Sequence, residues 1–350
     1  MPTALPLCAE QHPDVRAHGR PSIGLGNLGV VEQVSVSGLM FMINCVFLII
    51  GCGMTTFPAH FPDVNSVQRW ALSSILSEGS QAAPRSEETL EIFPAVFALD
   101  NPRARRVRNA KRHWSLPLAI GEFAWHVSGS DSVDFISYYT PHWRRFSDDG
   151  ITIKGSCYGH RIFSGNPSRW SQILDLLKAD PDTRRGVLLF ADAQLPFKID
   201  AKDVPCATSI QFVLRWNRLH AFVTMRSNDV IWGLPYDMFL FSMLQELCAL
   251  QLNVQLGAYY HSAASLHLYK EHFSLAQEVL SVADESIAPM LAMEASDQLP
   301  GFLCCEQSLR AGVPLAEIAD ARQLAPYWQS LLEPLESYRR RKRSPQATEG

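Results

Sequence analysis

The sequence predicts an α+β fold in which a mixed β-sheet is flanked by helices. Two patterns carry this reading. Apolar residues recur at helical spacing in several segments, and short apolar or alternating runs bounded by turn residues lie between them. The two kinds of segment are intermixed rather than strictly alternating, which favours a mixed sheet over a purely parallel one.

The elements follow in order. A compact domain begins at about Pro62. Asn65 is a candidate cap for a helix whose residues Val67, Trp70, Ala71, Ile75 and Leu76 share one face, closing at Gly79. Asn166-Pro167 opens another helix, carrying Trp170, Ile173, Leu174 and Leu177, because proline suits a first turn. Residues 186–190 read as a short buried strand. Residues 210–215 and 219–225 flank a tight turn at Asn217-Arg218, the pattern of a β-hairpin. Residues 238–252 form an apolar helix, and residues 255–268 read as a strand with a further helix after it. No internal repeat is evident.

Three segments are expected: 1–53, an N-terminal extension; 54–335, the catalytic domain; and 336–350, a basic, disordered tail containing Arg339–Arg343. The apolar run at 38–50 is short for a membrane span and too far from the N-terminus for an ordinary signal peptide. It is read as lying outside the catalytic fold, with Met54 as an alternative start; a membrane anchor is the competing reading.

A chain of 350 residues can bury a substantial core. Its net charge of −4 gives no global reason to expect nucleic acid or anionic membrane as a partner. The eight cysteines show no CxxC spacing, apart from the adjacent Cys304-Cys305. That argues against a structural zinc site and a disulfide framework, and favours a reducing, cytoplasmic setting with no metal.

Chemistry concentrates between Pro205-Cys206 and Asp237. Free cysteine usually only packs, but Cys206 precedes an apolar strand with Arg226 reachable across the hairpin. A nearby guanidinium lowers a thiol pKa and supplies a thiolate nucleophile. Arg184-Arg185 stand at the threshold of a strand, where adjacent guanidinium forks suit a phosphate, although a solvated charge pair is the simpler reading. Asp237 reads most simply as an N-cap of the helix that follows. Glu122 lies in an apolar segment, where a carboxyl needs a partner or a proton-transfer role. His267 and Tyr269, two apart on a strand, share a face and suit sugar hydroxyls or simple packing.

The ordered set Glu122, Trp143, Tyr158-Gly159, Arg184-Arg185, Pro205-Cys206-x4-Gln211-Phe212, Arg226-Ser227-x-Asp229-x3-Gly233-Leu234-Pro235 and His267-x-Tyr269 resembles the thymidylate synthase family over residues 62–290. The resemblance implies that fold, as a homodimer with shared active sites. It implies that Cys206 attacks C6 of a pyrimidine nucleotide, and that Arg226, Ser227 and Arg85 hold the phosphate, with Arg184 and Arg185 supplied by the other subunit. His267 and Tyr269 would bind the sugar, Gln211 would position the nucleotide, and Glu122 and Tyr158 would serve protons and water. Trp143 and Asp229 would line the site of the co-substrate 5,10-methylenetetrahydrofolate, with Lys111 or Arg112 near its glutamyl tail. Arg85 is the loosest match, since residues 85–89 lack the glycines of the usual phosphate loop.

Two departures matter. After Leu-Pro the family carries an aromatic residue and then Asn, where this chain has Tyr236-Asp237; after the nucleophile it usually carries His, where this chain has Ala207. An Asn amide can donate to uracil O4, whereas an ionised Asp only accepts. Facing uracil O4 it would set lone pair against lone pair; facing cytosine it accepts from the 4-amino group. This pattern resembles the deoxycytidylate hydroxymethylase branch, implying conversion of dCMP to 5-hydroxymethyl-dCMP by hydration of a covalent intermediate. The rivals are the same chemistry on CMP, as in nucleoside antibiotic pathways, and thymidylate synthesis from dUMP. Nucleic-acid binding by the basic tail is the rival from another class, weakened by the lack of interleaved aromatics.

Overall fold

The structure, a computed structural model, describes residues 58–191, 197–198, 200–285 and 287–343. The apolar run at 38–50 and the alternative start at Met54 lie outside the described residues. Among those described, no helix is long and apolar enough to cross a membrane.

The chain runs β1 (Ala59–Phe61), α1 (Val64–Glu78), β2 (Ser80–Ala82), β3 (Thr89–Ile92), β4 (Ala95–Leu99), α2 (Leu116–Val127), α3 (Val133–Ser137), α4 (Tyr158–Phe163), α5 (Arg169–Ala179) and β5 (Val187–Leu189). It continues through β6 (Ala207–Arg215), β7 (Arg218–Met225), β8 (Asn228–Asp229), α6 (Leu234–Gln251), β9 (Gln255–Ala263), β10 (Leu266–Tyr269), α7 (Phe273–Ser281), α8 (Leu299–Arg310) and α9 (Pro326–Arg343). A six-stranded sheet has the order β1-β4-β9-β7-β6-β5, and a four-stranded sheet the order β2-β3-β10-β8. Both are mixed: β7 pairs parallel with β9 but antiparallel with β6, and β10 pairs parallel with β8 but antiparallel with β3. The mixed sheet and flanking helices are as the sequence predicts.

The centre of the fold is α6, apolar nearly all round and buried along its length, as expected of a helix enclosed on every side. Two of its polar side chains tie it to its surroundings, although Gln245 Oε1 is buried without a hydrogen-bond partner among the described residues. Gln245 Nε2 reaches Leu219 O (2.9 Å), Gly257 O (3.2 Å) and Ala258 O (3.1 Å), tying α6 to β7 and β9. Glu246 pairs with Arg103 and Arg105 and accepts from Met293 N.

Several boundaries differ from expectation for local reasons. Asp63, not Asn65, caps α1, accepting from Ser66 N at 2.8 Å; Asn65 is buried and brackets Arg108, donating to its O and accepting from its N. Pro167 precedes the cap Ser168, and α5 starts at Arg169. The hairpin turn is Trp216-Asn217, whose φ values of 51° and 58° fit the right-handed twist of the paired strands. The strand at 187–189 is an edge strand that exposes Val187 and Leu189, not a buried one.

The expected disordered tail is corrected over residues 336–343, which complete α9. Arg339 is buried and doubly bonded to Glu336, and Tyr338 donates to Tyr138 O (3.0 Å) and Tyr139 O (2.9 Å). Arg339 is thus held inside the fold, while residues 340–343 stay exposed on the same helix, so no boundary falls at residue 336. Residues 344–350 lie outside the described residues. The buried Trp328, Leu331, Leu332 and Leu335 hold α9 in the core, where it packs on α2 and α8.

Candidate active site

Cys206 ends the loop entering β6 and is anchored on both sides. Ala207 N donates to the Tyr158 hydroxyl at 3.2 Å. Arg226, just after β7, donates through Nε to Pro205 O (2.8 Å) and through Nη2 to Val204 O (3.0 Å). The same Nη2 lies 3.8 Å from Cys206 Sγ. The ready thiolate expected beside Arg226 is not found, however. Burial outweighs the guanidinium and pushes the thiol up to about 11.

Tyr158 is held rigidly at the start of α4. Its ring stacks on His126 at 5.5 Å and 7°, with Phe190 and Phe241 also alongside. The following Gly159 is required by close approach: a Cβ there would stand 1.9 Å from His126 O.

Glu122 projects from α2 and accepts from Trp143 Nε1 at 3.3 Å. Burial, reinforced by the negative charge of Asp237, raises its carboxyl to about 8, so at neutral pH it carries a proton to give. Asp237 is the fourth residue of α6, not its cap, because Gly233-Leu234-Pro235 starts the helix earlier than the apolar pattern implies. Asp237 Oδ2 instead accepts from Asn228 Nδ2 at 2.7 Å. Burial lifts Asp237 to about 7, opposed by that hydrogen bond and assisted by the charge of Asp229.

Behind Asn228 the contacts continue. His261 Nε2 lies 3.0 Å from Asn228 Oδ1, and the Tyr259 hydroxyl lies 3.0 Å from His261 Nδ1. His261 stacks on Phe97 at 4.9 Å, and burial depresses it to about 3, so it is neutral. Asn228, His261 and Tyr259 are missed by the sequence reasoning. The available signal was the i, i+2 spacing of Tyr259 and His261 on one strand, the same spacing that singles out His267 and Tyr269.

Asp229 accepts from Ile231 N (2.8 Å) and Trp232 N (3.1 Å), and burial raises its carboxyl. It is paired in register with His267, whose ring meets Tyr269 edge-on at 5.1 Å, and Ser227 lies in the same run between Arg226 and Asn228. Arg85, with φ 53°, is exposed, and its charge acts on Tyr269. Arg112 is buried, donates to Ile231 O and lies 5.0 Å from the centre of the Trp232 ring, yet its Nε and Nη1 have no hydrogen-bond partner among the described residues. Two buried donors left over are a ready seat for an anionic group. Lys111 is exposed and stands 4.0 Å from Glu278.

Gln211, Arg184 and Arg185 are not brought to this group within one chain. Strand alternation turns Gln211 away from the buried face of Ile210 and Phe212, and its Nε2 donates to Arg184 O at 2.8 Å. Arg184 and Arg185 are exposed beside the edge strand β5. Among the described residues, no cluster of three His, Cys, Asp or Glu side chains is placed to hold a metal ion.

Comparison with known proteins follows the same lines. A family described as thymidylate synthase matches residues 70–306. A protein named deoxyuridylate hydroxymethyltransferase from Bacillus phage SP01 is 32% identical over 215 residues, covering 58% of this chain and 56% of that protein. A deoxycytidylate 5-hydroxymethyltransferase from Enterobacteria phage T4 is 28% identical over 200 residues, covering 54% of this chain and 78% of its own. The chain thus spans little more than half the length of the phage SP01 relative. The solved structure of thermostable thymidylate synthase A from Bacillus subtilis superposes with a TM-score of 0.55 at 21% identity, covering 64% of this chain and 86% of that one.

Proposed function

The chain belongs to the thymidylate synthase family, and from that premise we propose that it is a folate-dependent C5 hydroxymethyltransferase of pyrimidine nucleotides, with dCMP as its preferred substrate. One observation carries the choice of base. The position expected to read the pyrimidine edge holds Asp237, supported from behind by the Asn228 amide and therefore presenting a carboxyl oxygen to the ring. When ionised it accepts from a 4-amino group and repels a 4-oxo group.

The roles follow from position. Cys206 bonds to C6 and loses its proton as it does so, which makes C5 nucleophilic. Arg226, Ser227 and Arg85 hold the phosphate, while His267 and Tyr269 hold the sugar. The family's co-substrate, 5,10-methylenetetrahydrofolate, supplies the one-carbon unit. The residues present fit it: Trp143 and Asp229 line one side, and the unpartnered Nε and Nη1 of Arg112 suit a carboxylate of its tail. Glu122, protonated at neutral pH, gives and takes protons and aligns the water that supplies the new hydroxyl. Cys206 then leaves C6 to release the product.

Arg184 and Arg185 serve a second copy of the chain in this reading. The outer sheet face exposes Leu189 and Phe222, the latter stacked on Tyr260 at 4.5 Å, a surface suited to covering by a dimer partner. The setting is cytoplasmic.

A second reading has specific support. Relatives at 31–33% identity carry the name deoxyuridylate hydroxymethyltransferase, and an acid near neutral pKa can also donate to uracil O4 when protonated. Tritium release from C5-labelled dCMP, CMP and dUMP, with methylenetetrahydrofolate, separates the candidates. Tetrahydrofolate as coproduct marks hydroxymethyl transfer. A dUMP-only enzyme releasing dihydrofolate is a thymidylate synthase and overturns the proposal.

A further inference from the structure

Asp237 does not stand alone. It terminates a line of contacts, Tyr259–His261–Asn228–Asp237, that crosses from β9 through β8 to α6. The direction of every proton in that line is set at its far end. Tyr259 is fully buried, and His261 Nδ1 is the only partner of its hydroxyl among the described residues. If the hydroxyl donates to Nδ1, His261 carries its one proton on Nε2 and donates to Asn228 Oδ1. Asn228 then donates through Nδ2 to Asp237 Oδ2, and every group is satisfied.

The reverse direction is the alternative. His261 would donate through Nδ1 to Tyr259, accept from a flipped Asn228 amide at Nε2, and require Asp237 to donate its own proton inward. That arrangement leaves the Tyr259 hydroxyl hydrogen buried without an acceptor, at a cost of about 1–3 kcal/mol. The forward direction is favoured. It keeps an Asn228 donor on Oδ2 in either ionisation state, so any proton on Asp237 resides on Oδ1, which no donor among the described residues reaches.

We propose that Tyr259, His261 and Asn228 are specificity-determining positioning residues: they hold one oxygen of Asp237 and leave the other to face the base, so that a proton on it selects a 4-oxo pyrimidine and its absence a 4-amino one. This deepens the proposed reaction and rests on it, while leaving either nucleotide open as substrate. The groups facing Asp237 are Glu122 from α2, Tyr158 from α4, Cys206 before β6, Asn228 and Asp229 from β8, and Tyr259 from β9, with His261 behind Asn228. No cation is among them. Burial, with the charge of Asp229 assisting and the Asn228 hydrogen bond opposing, places Asp237 at about 7, so both states are populated near neutrality.

The test uses the full chain and the ratio of kcat/KM for dCMP to that for dUMP. If dUMP requires the protonated acid and dCMP the ionised one, the ratio of the two populations rises tenfold per pH unit wherever the pKa lies. The substrate phosphate, with a second pKa of about 6, and the Cys206 thiol affect both substrates and cancel. The expected result between about pH 6 and pH 8.5 is a straight line of slope one in the logarithm of the ratio; a flat ratio overturns the inference. Tyr259→Phe removes the hydroxyl that sets the direction, allowing Asp237 to turn its proton inward. It is expected to lower dUMP relative to dCMP by about tenfold at about pH 6; equal losses on both substrates would make Tyr259 merely structural and overturn its part. Calorimetric binding of the two nucleotides at about pH 6 and about pH 8 gives the same readout without turnover. Switched binding with no one-carbon transfer would retire the proposed reaction and retain this inference, whereas turnover with an unswitched ratio would do the opposite.

Discussion

Exchanging the carboxylate of Asp237 for an amide tests base recognition directly, and the geometry fixes which way the amide points. Asn228 Nδ2 lies 2.7 Å from Asp237 Oδ2 and donates to it. In Asp237→Asn the new carbonyl oxygen takes over that acceptor role, which turns the new NH2 toward the base. Uracil O4 then meets a donor where it met a lone pair, and the cytosine 4-amino group meets a donor where it met an acceptor. Each reversal is worth about 1.5–3 kcal/mol in a desolvated pocket, so the two together shift the dCMP-to-dUMP ratio by roughly 10²- to 10⁴-fold toward dUMP. The assay is tritium release at about pH 8, where the native acid is ionised and the contrast largest. A variant whose ratio moves by less than about threefold would show that Asp237 does not read the base edge, whatever the role of Cys206.

Three further outcomes follow from the same structure. Glu122 and Asp237 both have folded-state values raised above their ordinary ones, so the folded chain keeps protons that the unfolded chain releases. Their contribution to stability is therefore intact below about pH 4 and lost as pH rises through about 7 to 8, by on the order of 4 kcal/mol each before relaxation. Urea midpoints at about pH 5 and about pH 8 should fall accordingly, with a smaller fall for Asp237→Asn; identical slopes for both proteins would refute it. Because burial holds the Cys206 thiol at about 11, iodoacetamide labelling of that site should keep accelerating up to the highest usable pH. A plateau near neutrality would mean a preformed thiolate. Leu331→Ala, at a site 1% exposed in the face of α9 toward the core, should cost about 2–5 kcal/mol in urea unfolding. A loss under about 0.5 kcal/mol would place α9 outside the cooperative core.

Sequence makes Cys206, Tyr158, Glu122 and Asp237 visible as candidates because each falls within a short ordered motif. Their grouping is a fact of chain order plus family resemblance rather than of periodicity. What periodicity misses is directional. The apolar pattern starts α6 at Met238, and only the backbone shows that Gly233 is the cap and Asp237 lies inside the first turn. His261 is invisible as a site residue because its partner Asn228 is 33 positions away on a strand of the other sheet, where no local rule links them. The basic end of α9 misleads for the opposite reason. Composition reads Arg339 as solvated, but Glu336 and Gly312 O accept from it inside the fold.

The packing of α9 on α2 has a consequence for the order of assembly. The helix that bears Glu122 is made early in synthesis, whereas the helix bracing it, with Trp328, Leu331 and Leu335, emerges some two hundred residues later, on the order of ten seconds or more at ordinary rates of translation. On the roles proposed above, a ribosome-bound intermediate would carry Cys206, Asp237 and the strand of His267 and Tyr269 before the helix of Glu122 is braced. The groups proposed to hold a nucleotide would then be in place before the one proposed to move its protons.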